Sequence, residues 1–504
     1  MLQTDILIIG SGISGLFFAM KIAKKRPDLS IVIMTKEAAK NTNTRLAQGG
    51  IAVVTDHLKD SFNKHIHDTL RSGGGLCDKE IVNMVIKQAP ERLQELIEIG
   101  TSFDKDEKGQ WDLGLEGGHS QHRILHHKDS SGQEIERKLL KIIKKMPNIE
   151  LLQNHMVLDL NTETKKAKTT CTGVFFYEKK HNRIKYMRTR TIVLSTGGCG
   201  QLFENTTNPK IATGDGLAMA ARAGAEITDM EYIQFHPTAL FSGNENPLFL
   251  ISETVRGFGA HVINEEGKRF LFKYDIRGEL ATRDMVSNAI SKELQISGKH
   301  HVYLDCRHLN AQKFYAQFPV IAAHCNELGI KPEKDLIPVV PAAHYQCGGI
   351  KVDRNGATSL KNLYAIGECA RTGLHGKNRL ASNSLLEAVV FAHQASENVD
   401  KTIAEFVFSS QILIPKFPKA HRVDDYLAFE ALKKELQKLL TSFYTSEERD
   451  AELAFVKIKA LHDEAALLTK THEITIPFIE FSNMIAASLL IIKQCQTAAN
   501  KQMC

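Results

Sequence analysis

The first 35 residues combine two short apolar runs with one amphipathic segment. Residues 5–9 read Asp-Ile-Leu-Ile-Ile, which has the length of a parallel strand buried on both faces. Leu16, Met20 and Ala23 then recur at the spacing of one helix face. A second apolar run, residues 31–34, follows a Pro-Asp break. The pattern predicts a β-α-β unit at the start of an α/β domain.

Three glycines lie between the first predicted strand and the helix. Gly10, Gly12 and Gly15 have the spacing Gly-x-Gly-x-x-Gly. In this context one glycine makes the tight turn, one lets a pyrophosphate approach the backbone, and one lets the helix pack on the strand. The motif favours dinucleotide binding over a glycine turn without a ligand, but it does not distinguish NAD from FAD. The predicted contacts are Gly10, Ser11, Gly12, Ile13, Ser14 and Gly15.

The end of the second predicted strand leaves two possibilities for the adenosine. In dinucleotide-binding folds an acidic residue near this point often binds the ribose hydroxyls. This chain reads Thr35, Lys36, Glu37. Either Glu37 binds the ribose, or Thr35 and Lys36 contact the adenosine, and Lys36 is kept as a candidate contact.

Residues 43–50 form a polar segment that ends in two glycines, which allow a backbone to approach a flat ring system closely. The segment resembles the isoalloxazine-contacting loop of the fumarate reductase and succinate dehydrogenase flavoprotein family, and of the L-aspartate oxidases within it. The resemblance implies FAD as the cofactor. The implied contacts are Asn43, Thr44, Arg45, Leu46, Ala47, Gln48, Gly49 and Gly50.

Four later segments, residues 192–198, 213–219, 363–368 and 378–387, extend the resemblance in the family order. The last is similar to the helix start that presents its N-terminus to the pyrimidine end of the flavin, where reduction places negative charge. The implied cofactor contacts are Thr196, Gly197, Asp215, Glu368, Ser384 and Leu385.

The same resemblance implies the domain organisation. Because cofactor segments precede and follow the middle of the chain, a second domain must be inserted between them. We expect an α/β, Rossmann-like FAD-binding domain at 1–229 and 346–405, an α+β capping domain at 230–345, and a C-terminal three-helix domain at 415–504 after a proline-containing linker. Helical spacing at Leu432 and Leu436, at Leu453 and Val456, and over residues 484–494 predicts the three helices.

Four residues match the catalytic motifs of the family and would bind a dicarboxylate. They are His236, Arg283, His344 and Arg379. An arginine can bind a carboxylate through two hydrogen bonds, and a histidine can donate one. By resemblance Arg283 is the proton-transfer arginine, although Arg283 and Asp284 could instead form a surface ion pair.

Glu116 indicates which dicarboxylate is bound. It lies in a segment that resembles a loop particular to L-aspartate oxidases, in which an acid faces the ammonium of the substrate. Aspartate carries this ammonium and succinate does not, and a buried cation needs an anionic partner. The alternative is a loop carboxylate without a ligand.

Asn43 occupies the position at which covalent members of the family carry a histidine, so we expect the FAD to be bound non-covalently. The resemblance then implies oxidation of L-aspartate to iminosuccinate, with dioxygen (giving hydrogen peroxide) or fumarate as electron acceptor. This is the first step of de novo NAD biosynthesis and implies a functional link to quinolinate synthase. The alternatives are a soluble fumarate reductase with non-covalent FAD, the flavoprotein subunit of a membrane respiratory complex, and a flavin-binding protein without chemistry.

Composition limits the partners. A net charge of +6 over 504 residues is too weak a bias to indicate a nucleic-acid or membrane surface. No apolar run approaches the ~20 residues of a membrane helix, and the N-terminus does not resemble a signal peptide. Nine cysteines without a Cys-x-x-Cys motif favour free thiols in a cytoplasmic protein. We expect no metal site, the alternative being zinc at the cluster His119, His122, His126 and His127.

Overall fold

The computed structural model describes residues 2–243, 245–409, 426–446, 448–470 and 475–502. Its strands are β1 Leu2–Ile9, β2 Ile31–Thr35, β3 Ile51–Ala52, β4 Leu113–Gly114, β5 Ile124–Leu125, β6 Ile149–Gln153, β7 His155–Lys165, β8 Lys168–Glu178, β9 Arg183–Leu194, β10 Ile227–Thr228, β11 Ile233–Leu240, β12 His261–Ile263, β13 Val302–Asp305, β14 Ile337–Gln346, β15 Gly349–Lys351, β16 Leu363–Ala365 and β17 Ala370–Arg371. Its α-helices are α1 Ile13–Lys25, α2 Asn43–Leu46, α3 Phe62–Ser72, α4 Lys79–Glu98, α5 Ser131–Ile143, α6 Asp215–Arg222, α7 Glu253–Gly257, α8 Arg283–Ser297, α9 Ala311–Gln317, α10 Pro319–Glu327, α11 Asn383–Thr402, α12 Tyr426–Thr445, α13 Ala451–Lys470 and α14 Ile476–Gln502.

The largest sheet has the order β6-β2-β1-β9-β8-β7, and β16 pairs with the C-terminal half of β9. The strands β6, β2, β1, β9 and β16 run parallel, whereas β8 and β7 continue the sheet in antiparallel fashion. In β1, Ile8 pairs with Ile33 on one side and with Val193 on the other. All three side chains are fully buried, as expected of a sheet that is covered on both faces. The predicted β-α-β unit is confirmed.

A second sheet, with the antiparallel order β11-β14-β13-β12, is inserted between β9 and β16 in the chain. With helices α7 to α10 it encloses its own apolar cluster, in which Phe270, Ile290 and Leu304 are fully buried. The predicted α/β fold class with an inserted α+β unit is therefore confirmed. The boundaries 230–345 and 346–405 stay a prediction.

The C-terminal helices α12, α13 and α14 share one apolar cluster with the large sheet, in which Leu436 and Ile491 pack on the side that contains Leu194. The predicted face of the middle helix is wrong, because Leu453 and Val456 are 48% and 59% exposed. The residues of this helix that pack on the cluster lie on another face, namely Ala454, Ile458, Leu461 and Ala465. The predicted linker and the start of the C-terminal domain at 415 lie outside the described residues.

The expectation that no apolar run approaches a membrane helix is wrong by length and composition alone, because one described helix, Ile476–Ala498 within α14, is long and apolar enough to cross a membrane. Half of an 18-residue apolar window of this helix is buried inside the protein. The helix packs on α6, α12 and α13. A core helix of a large protein has the same properties.

Candidate active site

A single long cleft contains most of the residues that the sequence singled out. It runs between the large sheet and the inserted unit, and its empty volume of about 1650 Å³ includes the part that opens to solvent. Its lining includes both the glycine segment 10–14 and the catalytic candidates, so it offers sites for a dinucleotide and for a small substrate. All five predicted catalytic residues line it: Glu116, His236, Arg283, His344 and Arg379.

The cofactor candidates divide into two groups. Gly15 and Arg45 do not line the cleft, because Gly15 lies against Ser195 and the Arg45 amide donates to the side chain of Thr42. Their predicted roles as contacts stay untested. The candidates that line the cleft are Gly10, Ser11, Gly12, Ile13, Ser14, Lys36, Asn43, Thr44, Leu46, Ala47, Gln48, Gly49, Gly50, Thr196, Gly197, Asp215, Glu368, Ser384 and Leu385.

Two helices open their N-termini onto the cleft, and in neither does the side chain of the N-cap residue accept a backbone N–H, although the Ile13 amide at the start of α1 donates to Thr44 Oγ1 at 3.0 Å. Helix α1 follows Gly12, and α11 follows Ser382, which has a left-handed backbone with φ +57. Uncapped N–H groups and the helix dipole favour negative charge. Gly10 brings α1 onto the sheet, since a Cβ there would lie 2.1 Å from the carbonyl oxygen of Ser195. The two ends therefore fit the pyrophosphate and the pyrimidine edge of a flavin dinucleotide.

The remaining cofactor contacts also fit a flavin dinucleotide. The Thr196 hydroxyl is buried without a hydrogen-bond partner in the described part of the chain. Glu368 accepts hydrogen bonds from Asn43 Nδ2 at 2.9 Å and from the Gln346 amide at 3.2 Å. Burial raises the pKa of Glu368 to about 7. A buried hydroxyl and a carboxyl of this kind are suitable partners for the hydroxyls and amides of a bound cofactor.

His236 and His344 lie side by side in the lining of the cleft. Their ring centroids are 5.1 Å apart. Burial lowers the pKa of each well below its ordinary value, and the charge of Arg283 lowers both further, so both are neutral. His236 Nδ1 accepts the Thr238 amide at 3.2 Å, which places the proton on Nε2. His236 Nε2 is buried and has no partner in the described residues, so it is a free donor.

Arg379 lies with its guanidinium carbon 4.3 Å from the ring centre of Tyr345. Its Nη1 donates to Ser384 Oγ at 2.7 Å, and its buried Nε has no partner among the described residues. Burial, and then the charge of Arg283, lowers the pKa of Arg379 to about 10. Glu387 accepts the Tyr345 hydroxyl at 3.0 Å and thereby fixes the ring beneath the guanidinium. Arg379 is thus a fixed cation without a carboxylate partner among the described residues, and it is suited to a substrate carboxylate.

Arg283 begins a chain of buried ion pairs. Its Nε donates to Glu253 Oε2 at 2.6 Å, and its Nη1 donates to Gln234 Oε1 at 3.0 Å. Glu253 Oε1 in turn accepts Arg256 Nη2 at 2.8 Å. Burial alone would raise the pKa of Glu253, but the two arginines outweigh it and hold the pKa below its ordinary value. The alternative of a surface pair between Arg283 and Asp284 is wrong.

Two buried residues of this chain of ion pairs were not predicted from the sequence. They are Glu253 and Arg256, which are 1% and 2% exposed. Their (i, i+3) spacing is compatible with a helical ion pair, but this signal is too common to identify a site. Their link to Arg283 spans 30 positions of the chain.

Glu116 is 2% exposed and lies within hydrogen-bonding distance of both structural units. It accepts Ser382 Oγ at 2.5 Å and Thr254 Oγ1 at 3.2 Å. Burial raises the pKa of Glu116, and the charge of Glu253 raises it further, although Arg283 opposes both. The carboxylate lacks a lysine or arginine hydrogen-bond partner in the described part of the chain, which suits a cationic group of a ligand.

A buried network fixes the loop that carries Glu116. Arg123 is 1% exposed and donates to Asp60 and Asp68 at 2.7 Å each. Its Nη1 also donates to His119 Nδ1, so the His119 proton is on Nε2 and is donated to the Ala381 carbonyl at 2.9 Å. His119 therefore connects this loop to the segment that holds Ser382. In the described residues no group of His, Cys, Asp and Glu is arranged to hold a metal ion.

Known proteins resemble this chain in both sequence and structure. Residues 5–385 match the family described as FAD binding domain. L-aspartate oxidase 2-b, chloroplastic, of Nicotiana tabacum is 45% identical over 78% of this chain and 61% of its own length. L-aspartate oxidase 1 of Ralstonia nicotianae is 37% identical over 97% of this chain and 92% of its own length. A structure of E. coli quinol fumarate reductase superposes with a TM-score of 0.86 and 28% identity, covering 99% of this chain and 89% of that one.

This chain thus spans 61% of the length of the tobacco relative but nearly all of the Ralstonia relative. The residues that line the cleft fit FAD, and FAD is the cofactor of the matched family. The chain belongs to the FAD binding domain family, in the branch that includes the L-aspartate oxidases and the fumarate reductase flavoproteins.

Proposed function

We propose that the protein oxidises L-aspartate to iminosuccinate with FAD. The observation that carries the proposal is the position of Glu116, whose buried carboxylate opens onto the same cleft as Arg379 and His236. Aspartate has two carboxylates and one ammonium, so the cleft offers a partner of opposite charge or a free donor for each group. The named relatives are L-aspartate oxidases, which supports the proposal.

The carboxylates would be bound by donors that the protein leaves free. His236 Nε2 and Arg379 Nε are buried and have no partner in the described part of the chain. Hydrogen bonds from such donors are charge-assisted when the acceptor is a carboxylate, and they are stronger where water is excluded. His344, held through Nδ1 by Thr207 Oγ1 at 2.8 Å, lies beside His236 and adds a third polar contact.

The oxidation releases a hydride and a proton. Bound FAD would supply the hydride acceptor, and dioxygen (giving hydrogen peroxide) or fumarate (giving succinate) would be the final electron acceptor. The proton would be received by Arg283 as its Nε proton passes to Glu253 Oε2 across 2.6 Å, so Arg283 carries the same charge before and after the step. Glu253 contacts Arg256, and Arg256 donates to the carbonyl of Glu279. A backbone carbonyl cannot relay a proton to a side chain, so these contacts support a proton route from Arg283 as far as Glu253.

The runner-up function is a fumarate reductase with non-covalent FAD. The superposition with quinol fumarate reductase favours it, and the histidines and arginines of the cleft suit either dicarboxylate. Glu116 favours aspartate, because fumarate has no cation for this carboxylate to neutralise.

We further propose that the FAD is held without a covalent bond. Asn43, whose Nδ2 donates to Glu368 at 2.9 Å, has no nucleophilic nitrogen for a flavin link. Acid precipitation should leave the yellow colour in the supernatant, and colour retained in the pellet would contradict the proposal.

One experiment compares peroxide release from the FAD-loaded protein in air with L-aspartate, asparagine and succinate. We expect peroxide with aspartate, because asparagine lacks the second carboxylate and succinate lacks the ammonium. Peroxide from succinate at a similar rate would contradict the proposed role of Glu116. A role in NAD biosynthesis, the link to quinolinate synthase and a cytoplasmic location stay predictions. The packing of α14 on α6, α12 and α13 supports a core helix in preference to a membrane span.

A further inference from the structure

The acid that dinucleotide folds commonly place after the second strand is not at the cleft in this protein. Glu37 follows β2 but accepts Asn41 Nδ2 at 3.0 Å and does not line the cleft. The residues that do line the cleft at this point are Thr35 and Lys36, and neither is a carboxylate. If the ribose hydroxyls of the adenosine are bound by a carboxylate, as they commonly are in such folds, that carboxylate must come from another element.

Two carboxylates converge on Lys36 from distant parts of the chain. Lys36 Nζ lies 2.7 Å from Asp215 Oδ2, at the start of α6, and 2.7 Å from Glu480 Oε1, on α14. The third donor position is used by Thr213 Oγ1 at 2.8 Å. An ammonium has three N–H groups, so Lys36 has none left to donate to a ligand.

Asp215 is the member of this cluster that lines the cleft and retains acceptor capacity. Its Oδ1 accepts Thr213 Oγ1 at 3.0 Å and Asn483 Nδ2 at 2.9 Å. With Lys36 on Oδ2, three of about four acceptor positions of the carboxylate are used, and one is left for a hydroxyl.

Helix α14 therefore contacts the cofactor wall through two polar side chains, Glu480 and Asn483. It also packs closely on the loop before α6, where a Cβ added at Gly214 would lie 3.2 Å from the Cβ of Ala487. One cation between two carboxylates leaves the cluster with a net charge of −1. Without the charge of Glu480, the whole positive charge of Lys36 would act on Asp215. The Asp215 carboxylate would then be a weaker hydrogen-bond acceptor.

We propose that Glu480 is a positioning residue of the FAD site, which shares Lys36 with Asp215 so that Asp215 can accept a hydrogen bond from the adenosine ribose. The C-terminal helix thus contributes to cofactor affinity although it does not line the cleft. The inference rests on FAD binding and not on the identity of the substrate.

The test measures binding of FAD, and separately of ADP, to the cofactor-free protein by titration calorimetry. Glu480→Gln should weaken both by about tenfold, which corresponds to about 1.4 kcal/mol. Glu480→Asp, which keeps the charge, should restore part of the affinity. In a Lys36→Met background the effect of Glu480→Gln should vanish, because the shared cation is gone.

Gln494→Ala is the matched control on the same helix. Gln494 accepts the Met230 amide at 2.8 Å and donates to the Ile227 carbonyl at 2.9 Å, away from the cleft. The Gln494→Ala variant should have a lower melting temperature than the wild type, and its FAD affinity should stay within about twofold of the wild-type value. The proposal is overturned if Glu480→Gln binds FAD as the wild type does, if it weakens FAD but not ADP, or if Gln494→Ala weakens FAD by the same factor.

Discussion

Replacing Glu116 by glutamine removes one charge from the cleft and changes the shape of the side chain little. The amide oxygen can still accept one hydroxyl, and the amide nitrogen can donate to the other, so the contacts with Ser382 and Thr254 can persist. What is lost is the attraction between a buried carboxylate and the substrate ammonium. At a separation of about 4 Å and an effective dielectric constant of about 20, this attraction is about 4 kcal/mol.

Part of that energy offsets the loss of hydration of both charges, so we expect a net loss of about 2–3 kcal/mol. This corresponds to a decrease of about 30- to 150-fold in kcat/KM for aspartate. Reduction of fumarate, which has no ammonium, should change by less than about threefold. Steady-state assays of both reactions on the same preparation give the ratio. Equal losses in the two reactions would refute the assignment of Glu116 to the ammonium.

The control is Glu293→Gln, which also alters a largely buried glutamate. Glu293 is 9% exposed, accepts Asn264 Nδ2 at 2.8 Å and does not line the cleft. The Glu293→Gln variant should leave the ratio of the two activities unchanged.

Because burial raises the pKa of Glu116, the acid limb of kcat/KM for aspartate should lie above the usual pKa of a glutamate. That limb should be absent from the Glu116→Gln variant.

Three further predictions concern other parts of the site. Glu253→Gln should lower kcat far more than it changes KM and should lower the free energy of unfolding by about 3 kcal/mol, because it leaves buried arginines uncompensated; an unchanged kcat would contradict the proton route. Gly15→Ala should reduce flavin content and stability by about 1–3 kcal/mol, since the added Cβ would lie 2.5 Å from Ser195 Oγ; full flavin content and an unchanged melting temperature would refute it. In the cofactor-free protein the native state holds the Glu368 proton up to a pKa of about 7. Stability should therefore fall by up to about 3 kcal/mol as the pH rises from about 4.5 to 7, and urea unfolding of Glu368→Gln should show a flatter dependence.

The start of the fold was predictable because its signals are local. The strands, the glycines and the helix of the β-α-β unit lie within 35 residues. The strands and the helix follow from the periodicity of apolar residues, and the glycines indicate a close approach of the backbone. The five catalytic candidates came from short motifs, and the structure brings all five to one cleft.

The partners of these residues were not predictable, since they are set by packing between distant segments. Lys36 meets Glu480 across 444 positions, and His119 meets Ala381 across 262. In α13 the helix was predicted correctly but its buried face was not, because two apolar faces compete and the tertiary contacts chose Ala454 and Ile458.

The most direct measurement is the visible absorbance of the FAD-loaded protein after anaerobic mixing with L-aspartate or with succinate. Reduction of the flavin bleaches this absorbance, so the signal reports the first half of the reaction without an electron acceptor. We predict rapid bleaching by L-aspartate and little by succinate. Bleaching by succinate with no response to L-aspartate would contradict the account.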